Sequence, residues 1–326
     1  MINVENMSKE YRVWKREKGF FNHVKSILVQ EYYTVPAVKN ISFSIDKGEM
    51  VGFIGPNGAG KSTTIKTLTG ILSLTSGSVS VMGFDPFKQR KKYVGHIGVV
   101  FGQRTQLWWD IPVIDSFDML KYIYNIPKEI YKKNLNTFYE ILDIGSFINK
   151  PVRQLSLGQR MRADIAAALL HEPDIIFFDE PTIGLDITAK QSIRDFIKHV
   201  NKTRNITMIF TTHDMSDIEE VCSRVIIIDK GSLIYDNSLK KLKNFGGFNR
   251  KLRLYLQDKL NLDNVSLDSV IIDRQEEKEI HISFNHNELN VAELINRVAA
   301  KNRISDVIVE ETSIETIVKN IYAGQV

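Results

Sequence analysis

From Val38 to about Asp236, short apolar runs alternate with segments of helical period, the pattern of an α/β domain built on a largely parallel sheet. The runs "MVGFIG" (50–55), "IGVVF" (97–101), "DIIFFDE" (174–180), "TMIFTTH" (207–213) and "RVIIID" (224–229) are rich in Val, Ile and Phe and bounded by polar or turn residues, which predicts buried strands. Between Gln103 and about Ala168 the period becomes mainly helical, punctuated by Pro112, Pro127 and Pro151. This predicts a helical subdomain over about 104–168, inserted into the sheet domain.

The paired glycines of "KNFGGF" (243–248) predict a linker, with a first domain over 1–245 and a second over 249–326. Beyond the linker, "KLRLYL" (251–256) alternates strictly, placing Leu252, Leu254 and Leu256 on one face, and "IHISF" (280–284) alternates likewise. A helix follows with Val291, Leu294, Ile295 and Val298 on one stripe, then a strand around 304–309. The last helix carries Ile314, Ile317, Val318 and Ile321 on one side and opens on a capping-box pattern, Thr312 followed by Glu315. The second domain therefore reads as a small α+β module with no chemical motif of its own.

Composition changes this picture little. With 43% hydrophobic and 25% charged residues in a chain of 326, neither wholesale disorder nor a disulfide scaffold is indicated. Cys222 is the single cysteine, which excludes an internal disulfide and fits a reducing compartment. The formal charge of +4 is too mild for a nucleic-acid footprint, so no nucleic-acid partner is expected. No apolar stretch reaches the roughly 18 residues of a membrane span, and the first residues lack a signal-peptide pattern; a cytoplasmic chain is expected.

The chemistry concentrates in a few stretches. "GPNGAGKST", which is Gly55, Pro56, Asn57, Gly58, Ala59, Gly60, Lys61, Ser62 and Thr63, follows a predicted strand and precedes a helical pattern, so it has both the spacing and the context of a P-loop. Such a loop must turn sharply and aim its backbone N–H groups at an anion, which Gly55, Gly58 and Gly60 permit. Lys61 would neutralise charge on the β- and γ-phosphates, and the Ser62 hydroxyl would ligate Mg²⁺.

The apolar strand at 175–178 delivers Asp179 and Glu180 at its C-terminal edge, where open α/β sheets place their ligands. Asp179 suits holding Mg²⁺, directly or through water, and Glu180 suits polarising an attacking water as general base. His213 ends another apolar strand at a position suited to a γ-phosphate contact.

Taken in order, "GPNGAGKST", "LSLGQ", "IIFFDE", "GLD" and "TTHD" resemble the nucleotide-binding subunits of ATP-binding-cassette (ABC) transporters, over roughly the first 236 residues. The resemblance implies a P-loop ATPase fold that binds ATP and Mg²⁺. It also implies that Ser156, Gly158 and Gln159 are signature-motif residues, Asp186 the D-loop acid and His213 the switch histidine. In that family two subunits pack head to tail and each signature turn closes over the partner's ATP, which would explain two phosphate-binding devices in one chain. The implied partners are a second ATPase subunit, in a homodimer or heterodimer, and integral-membrane permease subunits. The expected location is the inner face of the cell membrane.

Several positions depart from the family pattern. Leu157 stands where a second glycine is frequent. The Q-loop glutamine, which contacts Mg²⁺ and the attacking water in the family, is Gln103, preceded by an extra Gly102, with Gln106 as the alternative. The adenine-stacking aromatic is Tyr11, with Tyr32 or Tyr33 as alternatives because some extra residues (about 14–36) separate Tyr11 from "AVKNISF". In that insertion Phe20, Phe21, Val24, Ile27 and Leu28 form a helical stripe beside Lys15, Arg16, Lys18 and Lys25, suited to membrane, permease or its own domain. Trp108 and Trp109 suit either a permease-docking groove or burial in the helical subdomain. The C-terminal module and the insertion resemble those of drug- and polysaccharide-exporting members, which implies an exporter of the ABC-2 type. Import, and a soluble cassette acting on ribosomes or DNA, stay as alternatives; the single P-loop and the lack of a long heptad run argue against the latter.

Overall fold

The computed structural model describes residues 1–14, 32–102, 104–212, 214–244, 250–263, 265–268, 270–286 and 288–322. They form two compact units, Met1–Asp236 and Asn237–Val326. The division thus falls ahead of the paired glycines, which corrects the first-domain boundary expected at 245. The helix Leu239–Lys243 packs on the helix Ile314–Tyr322 and so belongs to the second unit.

The chain runs through β1 (Ile2–Trp14), β2 (Tyr32–Ile45), β3 (Met50–Ile54), β4 (Ser76–Val81), β5 (Ile97–Phe101), β6 (Ile175–Asp179), β7 (Thr207–Thr211), β8 (Arg224–Asp229) and β9 (Ser232–Ser238). A six-stranded sheet has the order β5-β6-β7-β3-β8-β9. Its β5/β6, β6/β7, β7/β3 and β3/β8 pairs are parallel. Residues of β3, β7 and the first four of β6 are all buried, as a sheet covered on both faces requires. The parallel register sets Phe101 beside Asp179 and Asp179 beside Thr211, so three strands end together at one edge. In such sheets ligands bind outside the carboxyl ends of the strands.

A second sheet, β2-β1-β4, is antiparallel and was not foreseen from the pattern. Alternation explains it: Ile2 and Val4 of β1 are buried between exposed Asn3 and Glu5, and Phe43 and Ile45 of β2 flank exposed Ser44. Those apolar faces share one core with Val51, Phe53, Ile65, Leu68 and Phe177. β1 runs on to Trp14 and β2 starts at Tyr32, so residues 32–36 are strand and the insertion is narrower than 14–36. The amphipathic stripe with its basic residues lies outside the described residues.

The helical part comprises Val113–Ile123, Lys128–Leu142 and Leu157–Leu169. Pro112 and Pro127 stand immediately before the first two, where a missing N–H costs nothing. Phe117 and Phe138 are fully buried, and truncating either to alanine would cost about 3–5 kcal/mol.

The second unit holds β10 (Arg250–Leu256), β11 (Val270–Gln275), β12 (Glu279–Phe284) and β13 (Ile304–Glu311) in the order β11-β12-β10-β13, each pair antiparallel. This is the split β-α-β arrangement, with the helix Val291–Ala299 joining β12 to β13. Leu252, Leu254, Ile280, Ile282 and Phe284 pack with Leu294 and Val298. The last helix is capped one residue later than expected: Ser313 Oγ, not Thr312, accepts from the Thr316 N–H at 3.2 Å. Ser313 stands directly before Ile314, where an N-cap hydroxyl reaches the third helical N–H.

Candidate functional site

The P-loop runs from the end of β3 into the helix Lys61–Leu68. Gly60 has φ +108° and a Cβ there would lie 2.5 Å from the Ala37 carbonyl oxygen; at Gly55 a Cβ would lie 2.4 Å from the Ile228 carbonyl. Only glycine fits either point. Lys61 is buried, and its Nζ donates to the carbonyls of Gly55 (2.6 Å) and Pro56 (3.2 Å). Burial lowers its pKa from the usual lysine value, opposed by the nearby charges of Glu180 and Asp179.

Gly55, Pro56, Asn57 and Ser62 line a cleft of about 980 Å³ together with Asp179 and Glu180. The two carboxylates predicted at the strand edge therefore face the phosphate loop across one space. Asp179 Oδ1 accepts from Thr211 Oγ1 at 2.7 Å, and Glu180, at φ +56°, donates its N–H to the Thr211 carbonyl at 3.0 Å. A left-handed non-glycine residue in such a site is uncommon and is held by these bonds. Ser62 and Asp179 supply a hydroxyl and a carboxylate to the same cleft, a hard-oxygen pair that fits Mg²⁺ bound largely through phosphates and water. Among the described residues no cluster of three or more His, Cys, Asp or Glu could hold a metal unaided.

Tyr11 reaches the mouth of this loop, its hydroxyl 3.4 Å from Thr63 Oγ1 and its ring 5.7 Å from Lys9 Nζ. Tyr32 lies farther up the hairpin, paired with Trp14 and stacked on it at 6.5 Å; Tyr33 pairs with Val13. The alternatives to Tyr11 thus sit away from Thr63 along the same ladder.

Ser156 and Gln159 form a capping box at the start of the helix Leu157–Leu169: Ser156 Oγ accepts from the Gln159 N–H (3.2 Å) and Gln159 Oε1 accepts from the Ser156 N–H (3.0 Å). Gln159 is engaged in holding the turn. Leu157 lies against the next loop, its Cδ2 placed 3.0 Å from where a Cβ on Gly184 would be. Ser156, Gly158 and Asp186 line a second cleft of about 650 Å³ that shares no lining residue with the first. Asp186 caps the following helix, accepting from the Ala189 N–H at 2.8 Å.

Gln103 and His213 lie outside the described residues. Their neighbours are fixed. Gln106, the alternative Q-loop residue, is turned away from the cleft: its side-chain amide donates to the Asp164 carbonyl (2.9 Å) and its N–H to Asp164 Oδ1 (3.0 Å). Thr105 Oγ1 donates to the same carboxylate at 2.8 Å. Burial pushes Asp164 up to about 6, against these hydrogen bonds and the charge of Arg160, which pull it down. Beside His213, Asp214 accepts from Lys190 Nζ at 2.6 Å. Burial would raise its pKa, but bonds from Lys190 and Ser216 and the Lys190 charge hold it down at about 2.

A further network escapes a motif reading. Asp217, fully buried, accepts from Thr182 Oγ1 (2.5 Å), Thr212 Oγ1 (3.1 Å) and Arg194 Nε (2.8 Å). It ties the loop after Glu180 to the end of β7. The only sequence signals for Asp164 and Asp217 are a lone acid among Ala, Ile and Leu and an acid just past His213.

A family model described as ABC transporter matches residues 38–183. The ABC transporter ATP-binding protein NatA of Bacillus subtilis (strain 168) is 36% identical over 208 residues, 64% of this chain and 84% of that protein. The bacitracin transport ATP-binding protein BcrA of Bacillus licheniformis is 32% identical over 73% of this chain and 74% of its own length. The methionine import ATP-binding protein MetN 1 of Bacillus thuringiensis subsp. konkukian (strain 97-27) is also 32% identical, over 67% and 66%. Other relatives are matched over just under two thirds of their length, at 63% and 65%. A dimeric structure of the ATP-binding cassette MJ0796, in a post-hydrolysis state bound to ADP and Pi, superposes with a TM-score of 0.61 at 26% identity, covering 73% of this chain and 99% of that one. With a glycine-rich phosphate loop and paired carboxylates at the end of a parallel sheet, and with these relatives, the chain belongs to the ATP-binding subunits of ABC transporters.

Proposed function

We propose that two copies of this chain, or one copy and a related subunit, enclose two ATP molecules head to tail and hydrolyse them to drive a separately encoded membrane permease in the direction of export. The observation that carries this reading is the separation of the two clefts. One cleft holds Gly55, Pro56, Asn57, Ser62, Asp179 and Glu180 but none of Ser156, Gly158 and Asp186, and the other holds Ser156, Gly158 and Asp186 but no residue of the 55–63 loop. Each is half an enclosure, and a two-fold interface completes both at once.

Within the composite site Lys61 and the P-loop N–H groups bind the phosphates, Tyr11 stacks on the base, and Ser62 and Asp179 hold Mg²⁺, which supplies charge neutralisation at the phosphates. Glu180 takes the proton from the attacking water, with Gln103 and His213 assigned to water and γ-phosphate from sequence. Ser156 and Gly158 offer a hydroxyl and N–H groups to the partner's γ-phosphate.

Permease coupling is assigned to the face of Trp108 and Trp109, which are 37% and 50% exposed, with Met119, Tyr122 and Ile123 exposed on the next helix. No helix among the described residues is long and apolar enough to cross a membrane. In this reading the subunit works on the inner membrane face against separately encoded permease subunits, as membership of the transporter family supports. Export is favoured by the C-terminal module and by the bacitracin-transport relative.

The test is Glu180→Gln. The variant should bind ATP normally, lose at least about a hundredfold in turnover, and accumulate an ATP-bound dimer on size-exclusion chromatography with light scattering. Unchanged turnover in the purified variant would reject Glu180 as the base.

A further inference from the structure

We propose that Arg104 is a further phosphate-contacting residue of the nucleotide cleft, a guanidinium that meets the terminal phosphate beside the strand end that carries Asp179. The inference rests on the reading of the P-loop cleft as an ATP site and adds a residue to it.

Arg104 lines the same cleft as Asn57, Ser62, Asp179 and Glu180. Arg104 is exposed, and among the described residues no ion pair engages it. The Arg104 N–H donates to the Phe101 carbonyl at 3.2 Å, closing a bridge between those residues. On the upstream side the Gly102 N–H donates to the Asp179 carbonyl at 2.8 Å. On the downstream side Thr105 and Gln106 are bound to Asp164 by the three hydrogen bonds given above. The backbone of Arg104 is thus held by its own N–H and by the two residues directly after it, so less conformational entropy is lost when it meets a ligand.

The anchors also say which end of the triphosphate it meets. The turn is bonded to the backbone of Asp179, next to the proposed general base Glu180, so its cation enters from the side where the γ-phosphate and the attacking water lie. Lys61 is a single point charge already directed at two loop carbonyls, whereas a guanidinium is a planar fork that can meet two phosphate oxygens together. A cation placed there distinguishes a nucleoside triphosphate from its diphosphate.

The experiment is calorimetric titration of the full chain with Mg²⁺ and either AMP-PNP or ADP, for the unaltered protein, Arg104→Gln and Arg104→Lys. Arg104→Gln should weaken AMP-PNP about tenfold or more while ADP stays within about twofold, because the lost bond is charge-assisted and made by the γ-phosphate alone. Arg104→Lys should fall between. Equal loss of both nucleotides in the two variants, or no loss of either, would overturn the role of Arg104. Failure of the unaltered chain to bind either nucleotide is a different result and would overturn the ATP reading itself.

Discussion

Gly102 and Glu180 are in direct backbone apposition: a Cβ on Gly102 would lie 1.9 Å from the Glu180 carbonyl oxygen. Gly102 is thus a packing requirement of the strand edge that carries Asp179 and Glu180, the carboxylates proposed for hydrolysis. Gly102→Ala should displace that edge, costing about 1–3 kcal/mol of stability and tenfold to roughly a hundredfold in turnover, with the chain still folded. Circular dichroism together with a steady-state ATPase assay checks this. Turnover at the parent level would show that the apposition does not position Glu180.

Asp217 joins Thr182, Thr212 and Arg194 in one buried cluster. Removing its carboxylate leaves the Arg194 guanidinium, whose side chain is 11% exposed, without its ion-pair partner. Asp217→Ala should therefore lose about 3–5 kcal/mol in urea unfolding, and Asp217→Asn markedly less. Equal and small losses in both variants would mean that the ion pair contributes little.

Asp164 gives stability a distinctive pH dependence. Its folded value, pushed up to about 6 by burial, stands above the ordinary 3.8. The native chain therefore holds a proton that the unfolded chain has released between those values. The contribution is fully present below the unfolded value and is lost as pH rises through the folded one, on the order of 1–3 kcal/mol in all. Asp164→Asn should remove this component, so that the variant gains on the parent between about pH 4 and 7. Unfolding curves for the two chains that stay parallel over that range would contradict it.

The Lys190–Asp214 pair clamps the segment next to His213 from the helix that Asp186 caps. Its acid is held down at about 2, below the ordinary 3.8, so its contribution is full above the unfolded value and is lost as pH falls through the folded one. Lys190→Met should thus reduce turnover several-fold at neutral pH with little change in ATP affinity. Measuring kcat and KM separately decides it; a change confined to KM would place the pair in binding.

What could be read from the sequence is what is contiguous. The P-loop, the Asp179–Glu180 edge and the Ser156 turn each sit within a few residues and carry their structural context with them, a strand before the first two and a helix directly after the P-loop and the Ser156 turn. The strands β3, β6, β7 and β8 are legible because burial on both faces leaves unbroken apolar runs. The antiparallel sheet is harder to see, since β1 pairs with β2 through register shifts between Val4 and Glu10 that break simple alternation. Asp164 meets Thr105 from 59 residues away, and Asp217 meets Thr182 from 35, so no local pattern reports either contact. The unit boundary is missed for the same reason: glycines mark where a chain can bend, while the contact between the helices Leu239–Lys243 and Ile314–Tyr322 decides which side a segment joins.

The most direct test of the two-copy site is complementation between variants disabled in opposite halves. Lys61→Ala and Ser156→Ala chains should each be nearly inactive alone, since every site in either homodimer lacks one wall. Mixed in equal amounts, they should recover roughly a quarter of parent turnover, because half of the dimers are then mixed and each contains one intact site. A mixture no more active than the two variants measured separately would contradict an ATP site built from two chains.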